Sequence, residues 1–505
     1  MIMETELLQQ LAATNRWSAL LPEIIIGCGA VLLLFIDLLL PKARRFLPAI
    51  SIAFQVLAGL LILWGLQSPR EGMEVLFGGL LAQEGSSDWM RLYLLFASVC
   101  VTHLAAVFLA QQQLARVEFY HLILVVTAAL MVLVQSHHFL LLFVALETVT
   151  IGFYILVSYR RDSRFSLEAG LKYLITGAFS SGMLLFGIAL LYGAAGNPHL
   201  PMTAVNPLNF AELGLFIGAS DEFSNNSMLL LVPFGTVLVL AGVAFKIGVV
   251  PFQIWVPDVY QGAPTPVTAF LAVSSKAAGF YVLYLLLRGP FASLEFLTIP
   301  LLSLVTIATL LFGNLAALGQ RNVKRVMGLS GVAHAGILLM GMLATLKVEW
   351  AFAAVMFYLF TYALASFGVF EVMAHVAGTE DADQELDHYD ELIKRDSMLG
   401  SSLLVGLGSL AGIPPLAGFV AKLLIFIAAF EAELYGLFAV ALAGVVLSIY
   451  YYFGWMRAAV MHNPFVEETG APAALRAPAL GAKLLMGGLI AGTLVFGLYQ
   501  GVFSF

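Results

Sequence analysis

Charge is what this 505-residue sequence has least of. Asp, Glu, Lys and Arg together make up 11% of it, where a soluble domain carries roughly 25%. Apolar residues make up 61%, and the mean hydropathy of +0.95 leaves no stretch for a large water-soluble core. The net charge of −7 points to no nucleic-acid partner. Cysteine is nearly missing. Cys28 and Cys100 each lie in an apolar run and read as small buried hydrophobes. No Cys or His cluster has the spacing of a zinc or iron–sulfur site, and no Gly-rich fingerprint follows a strand. The chain is therefore expected to bind no metal, haem, flavin or other cofactor of its own. A cleavable signal peptide is also not expected. Glu4, Glu6 and Arg16 precede the first apolar run, while Lys42, Arg44 and Arg45 follow it, the flanks of a retained span.

What the sequence has is apolar runs of about 20 residues, the length that crosses a bilayer as a helix. They fall near 19–40, 46–66, 91–110, 120–135, 138–158, 167–192, 228–250, 265–287, 294–317, 325–345, 350–376, 398–430, 433–455 and 482–502. The reading is an all-α polytopic membrane protein with about 14 transmembrane helices. Lys and Arg placement sets the orientation. With the N-terminus outside, 15 basic residues, Arg116, Arg321, Lys324, Arg325 and Arg476 among them, fall in cytoplasmic connections. Five (Arg16, Arg70, Arg91, Arg288 and Lys347) fall on the other side. Both termini then face the periplasm, in a bacterial inner membrane. Residues 193–227 contain no Lys or Arg and read as an external loop, in which Asn225-Asn226-Ser227 is a chance glycosylation pattern. Residues 378–397 hold eight acids and two bases and read as a solvated cytoplasmic loop, or as a docking site for a partner subunit.

Four lysines remain. Lys172 lies near a span end and can snorkel, but Lys246, Lys276 and Lys422 have apolar sequence on both sides. One acid matches them, Glu147 in LLLFVALETVTIGFYIL. A charge at the centre of a spanning helix costs about 2.5–3.5 kcal/mol and marks a functional site by default. Buried lysine and glutamate suit proton relay, because a carboxylate that approaches or withdraws changes how firmly the amine holds its proton. Ion pairs that only pin helices are the competing reading. Pro251 follows Lys246, and Pro414 and Pro415 precede Lys422. Proline breaks a helix, and two interrupted spans in two halves of a chain form a transporter pattern. The organisation expected is an N-terminal unit over 1–119, a first repeat over 120–290, a second, inverted five-helix repeat over 291–456 and a C-terminal loop and helix over 457–505. Helices 7 and 12 are the broken ones, equivalent to each other, with Lys246 the counterpart of Lys422.

His334, in SGVAHAGILLMG, reads either as a packed histidine or as a relay group between two channels. Glu23 and Asp37 read as interface residues at the ends of the first span, and His137 and His138 as surface residues of a short connection. The run TGAFSSGMLLFG reads as a surface for close helix packing.

These motifs carry a resemblance. KYLITGAFSSGMLLFGIALLYG at 172–193 and AGVAFKIGVVPFQIWVPDVYQGAPTPVTAFLAVSSKAAGF at 241–280 resemble subunit N of the proton-pumping NADH:quinone oxidoreductase, respiratory complex I. So do GNLAALGQRNVKRVMGLSGVAHAGILLMG, LAGIPPLAGFVAKL and the opening LLPEIII. The run GLSGVAHAG stands where that family more usually has AYSSIAHAG. The resemblance implies fourteen helices with two inverted five-helix repeats. It implies a proton-translocating subunit that lies beside sister antiporter-like subunits and is driven by quinone reduction elsewhere in the complex. It implies proton-relay roles for Glu147, Lys246, Lys276 and Lys422. NADH and quinone would be handled by other subunits. Two alternatives stand beside it: a subunit of a related sodium/proton antiporter or membrane-bound hydrogenase, and a non-pumping structural membrane subunit.

The topology is directly testable. In cells, His388→Cys is expected to react with a thiol reagent only from the cytoplasmic side. Labelling from the periplasm would overturn the orientation.

Overall fold

The computed structural model describes residues 12–67, 72–112, 114, 117–198, 203–219, 230–378, 380–462, 475 and 477–499. Arg70, Arg116, Arg476 and the Asn225-Asn226-Ser227 pattern lie outside the described residues. A chain this apolar has to pair its backbone polar groups internally if it is to sit in lipid, and long helices do so. The helices are α1 (Leu21–Leu39), α2 (Leu47–Leu66), α3 (Gly85–Gln112), α4 (Val117–Leu133), α5 (Phe139–Val157), α6 (Arg164–Ala195), α7 (Phe210–Ala219), α8 (Leu231–Ile247), α9 (Val256–Gly262) and α10 (Thr265–Phe270). After them come α11 (Lys276–Arg288), α12 (Glu295–Leu318), α13 (Val323–Ala344), α14 (Ala351–Val376), α15 (Leu392–Arg395), α16 (Ser397–Ala411), α17 (Ala417–Glu431), α18 (Tyr435–Val460) and α19 (Leu480–Leu498). One small antiparallel hairpin, β1 (Glu74–Leu76) with β2 (Leu81–Gln83), lies between α2 and α3.

Eleven described helical stretches are long and apolar enough to cross a membrane, so the protein is a multi-pass membrane protein. The other three expected spans differ in kind. The fourth, α4, is a single helix of 17 residues. The seventh and twelfth are each two pieces, α8 then α9 and α16 then α17.

Both breaks use the same local chemistry. Gly248 (φ 72°) ends α8 and Gly412 (φ 84°) ends α16, each left-handed, a conformation that costs glycine little. Three residues after each glycine comes a proline, Pro251 or Pro415, which has no N–H with which to resume the helix. Lys246 precedes its break by two residues, whereas Lys422 follows its break by ten. Spans 7 and 12 are thus both broken at a similar turn, but the two lysines lie on opposite sides of it in the chain and are not positional counterparts.

The centre of the bundle is α13, enclosed along its whole length, flanked by the largely buried α14 and the α10–α11 stretch. At the periphery, α1 and α2 expose large apolar side chains such as Leu38, Leu60 and Trp64. Gly187 of α6 faces the carbonyl of Gly235 of α8 so closely that a Cβ would sit 2.7 Å from it.

Several sequence readings are corrected here. The segment 378–397 is not simply a solvated loop. Asp381 is buried and accepts from Lys324 Nζ (2.8 Å) and from the backbone N–H (2.9 Å) and hydroxyl (2.7 Å) of Thr265. Lys324, counted as a solvated cytoplasmic base, has no exposed surface and also donates to the Ala263 carbonyl at 2.6 Å. Glu23 is not an interface residue, for Arg91 grips its carboxylate with two bonds of 2.8 Å in a buried pair. His138 is buried and caps α5 by accepting from Leu140 N. Within 193–227, α7 buries Phe210, Leu213, Phe216 and Ile217. Lys172 meets Asp258 and Glu168, both at 2.6 Å, and Asp258 also takes Arg325 at 2.8 Å. For Asp381, Lys324 and Glu23 the sequence shows a charge beside a span end, and burial comes from a segment distant in the chain, whereas the Lys172 side chain stays partly exposed.

Removing one member of a buried pair leaves a lone charge, at a cost of about 3–5 kcal/mol. Lys324→Met is expected to destabilise the protein by about that amount. Lys324→Met combined with Asp381→Asn should recover part of the loss, because the lone charge is gone. Thermal unfolding of the detergent-solubilised protein measures both.

Candidate proton-relay site

The polar line begins on α5. Glu147 is half-buried, and its carboxylate accepts a hydrogen bond from the Ser181 hydroxyl of α6. One helical turn further along α5, Thr150 is buried and accepts from Lys246 Nζ at 2.9 Å. Glu147 and Lys246 therefore lie along one helix, with Thr150 as the lysine's direct partner. Among the described residues the two make no ion pair with each other. Lys246 is 4% exposed, with Nζ 5.7 Å from the Phe153 ring centroid. It occupies the last turn of α8, where the helix dipole favours a cation.

A cavity of about 10 Å³ lies between Lys246 and Lys276, lined also by Trp255, Tyr260 and Val332. That is about one water's worth of space. Lys276 opens α11 directly after a π-helical turn over Leu271–Ser275, a distortion frequent at functional sites. Its Nζ donates to the Gly331 carbonyl of α13 at 2.7 Å and lies 5.3 Å from the Tyr362 ring centroid. A Cβ at Gly331 would come within 2.9 Å of that nitrogen. At Gly331 the backbone alone takes the amine.

His334 lies one turn further along α13. Its Nδ1 is 2.7 Å from the Tyr358 hydroxyl and its Nε2 3.0 Å from that of Tyr452. The Tyr362 ring lies against it, tilted by 56°, with 5.1 Å between centroids. His334 is thus both buried and bonded at each ring nitrogen. Beyond it, two further cavities of about 10 Å³ each are lined by His334 and Lys422 together. One also has Tyr358, Tyr362 and Ser409 in its wall, the other Asn314, Ser448 and Tyr451.

Lys422 ends the line. From α17 it reaches back across the break and donates to the carbonyls of Leu410 (2.8 Å) and Ala411 (3.0 Å), which the end of α16 leaves without helical partners. An ammonium has three donors. A neutral amine keeps two, enough for both carbonyls, and turns its lone pair to the cavity. The same seat therefore holds Lys422 in either protonation state. The succession Lys246, Lys276, His334 and Lys422 brings together four of the five residues singled out in the sequence, with Glu147 one turn from the first.

Thr150, Tyr358, Tyr362 and Tyr452 were not singled out, and Ser181 was read as packing. The spacing held a signal for some of them: Thr150 follows Glu147 by three, and Tyr358 and Tyr362 are four apart, the intervals that share a helix face. Tyr452 gave none.

Buried amines seated at two broken helices in a multi-pass bundle define an antiporter-like membrane subunit. Consistent with that class, residues 136–448 match the family described as NADH:quinone oxidoreductase/Mrp antiporter, TM. Within it, the chain is 54% identical to NADH-quinone oxidoreductase subunit N 1 of Opitutus terrae over 504 residues, covering 99% of this chain and 98% of the other. It is 33% identical to subunit N of Rhodospirillum rubrum, over 86% and 85% of the two chains. A chain in the structure of respiratory complex I from Thermus thermophilus with bound aureothin superposes with a TM-score of 0.75 at 30% identity, over 95% of this chain and 98% of that one. The chain belongs to the NADH-quinone oxidoreductase subunit N family.

The seat of Lys422 depends on Gly418, where a Cβ would fall 1.9 Å from the Ser409 carbonyl oxygen. Gly418→Ala is expected to force α17 away from α16 and to cost about 1–3 kcal/mol, as overpacking does. Gly436→Ala, which has open space around it, should be neutral. Thermal stability of the two variants, measured side by side, tests this.

Proposed function

We propose that this chain is a proton-translocating membrane subunit of an NADH:quinone oxidoreductase, working as part of a translocase and holding no redox centre of its own. The observation that carries the reading is the line of buried amines and imidazole from Lys246 through Lys276 and His334 to Lys422, with a water-sized cavity between the first two, two more between the last two, and the Tyr362 ring beside both Lys276 and His334. Glu147, close to the lateral surface, modulates the first amine through the shared face of α5. A carboxylate held there favours the charged lysine, and its neutralisation releases the proton toward Lys276. His334 accepts a proton at one ring nitrogen and gives it up at the other, with the tyrosine hydroxyls as relays. Lys422 hands it to water at the second break. Quinone reduction in neighbouring subunits supplies the energy. The partners are those subunits, sister antiporter-like chains and the lipid of a bacterial inner membrane, with both termini periplasmic. Neither NADH nor quinone binds to this chain in this scheme.

Cycling of a proton on Lys422 separates this reading from a structural one. Arginine supplies a fixed charge, since its pKa stays above about 12. Lys422→Arg is expected to assemble and to sustain NADH oxidation while proton pumping into vesicles falls at least tenfold. Pumping at the wild-type rate would mean that a permanent cation suffices at this position.

A further inference from the structure

Away from the lysine line lies a buried acid whose carboxylate has no hydrogen bond. Glu371 lies on α14 near its Val376 end, is completely buried, and has neither carboxylate oxygen in a hydrogen bond. Its nearest titratable partner comes from another helix: His103 Nε2 of α3 is 3.5 Å from Oε1 and likewise makes no hydrogen bond. The other groups around it are few. His375, one turn further along α14, has Nδ1 3.8 Å from Oε1, but that nitrogen is also bonded to the Glu371 backbone carbonyl at 2.9 Å. Cys100 lies one turn before His103 on α3. From α19, Gly481 packs against the His103 ring, with Lys483 exposed two residues on. From α16 comes the neutral Ser402, bonded to the Gly368 carbonyl.

A lone carboxylate in such a place is strongly disfavoured. Two arrangements avoid it, and both are net neutral: a protonated carboxyl beside a neutral imidazole, and a carboxylate beside an imidazolium. The pair therefore holds one proton between two atoms 3.5 Å apart. One member is sealed, and the other has a side chain 24% exposed. We propose that Glu371 and His103 form a second proton-exchange site, separate from the lysine line, at the seam between α3 and α14. Its ligand is a proton. His103 takes it from water, Glu371 accepts it, and release runs back the same way or inward along α14. The site stands independently of what the lysine line carries.

The experiment is pH-difference infrared spectroscopy of the intact complex containing this subunit, read at the carbonyl stretch of protonated carboxyl groups. One such band is expected to vanish in Glu371→Gln. In His103→Phe it should persist to higher pH, its midpoint rising by at least one unit, because no imidazolium then favours the carboxylate. If the Glu371→Gln spectrum superposes on the wild type, the carboxyl group does not change protonation state, the pair only pins two helices, and the proposal fails. Should Glu371→Gln not assemble, the midpoint in His103→Phe decides alone, and an unmoved midpoint overturns the proposal.

Discussion

A backbone carbonyl set free inside a membrane has to find a donor, and the architecture of this protein follows from where that happens. Lipid offers none, so a helix that stops halfway across is tolerated only where something polar meets its end. At the second break, the carbonyls of Leu410 and Ala411 are met by the amine of Lys422. At the first, Gly248 folds its own N–H back onto Ala244 and Phe245, and Lys246 turns to Thr150. Break and amine stabilise one another at α16, since the carbonyls need a donor and the amine needs acceptors.

The same constraint explains the enclosure of α13. An imidazole with both nitrogens engaged, and a glycine carbonyl that takes a lysine, belong where lipid is excluded. The helix bearing His334 and Gly331 is the one that neighbours surround along its full length. Small residues make this possible. Gly313 and Gly336 let α12 and α13 approach until a Cβ at either position would meet the other helix within 3 Å. Tyrosines from α14 and α18 then close the remaining space with hydroxyls rather than methyl groups, so the packing of the core and its polar connections are made by the same side chains.

Much of this was legible in the sequence. Lys246, Lys276, Lys422 and Glu147 are conspicuous because apolar residues surround them on both sides, and the prolines mark the breaks. Legibility ended where partners are far apart in the chain. Asp381, Glu23 and Lys324 stand close to span ends, and nothing local distinguishes a solvated charge from one covered by a distant segment. Glu371 was not singled out although it lies inside the expected span 350–376, five residues from its end, and its partner His103 comes from another span. The offset between Lys246 and Lys422 was legible in the order of residues, since Pro251 follows the first lysine and Pro414 and Pro415 precede the second, but pairing the spans by their order in the chain made the two lysines look like counterparts.

That offset has an electrical consequence. Lys246 lies within the last turn of α8, and Lys422, coming from beyond its break, rests on the last carbonyls of α16. Each amine thus meets the carboxyl end of a half-helix, where the aligned peptide dipoles present about half a negative charge. One reaches that end from inside its helix and the other from outside it. A counter-charge made of backbone cannot be protonated or swung aside as a carboxylate can, so both amines keep a fixed partial partner through every step in which a proton comes or goes.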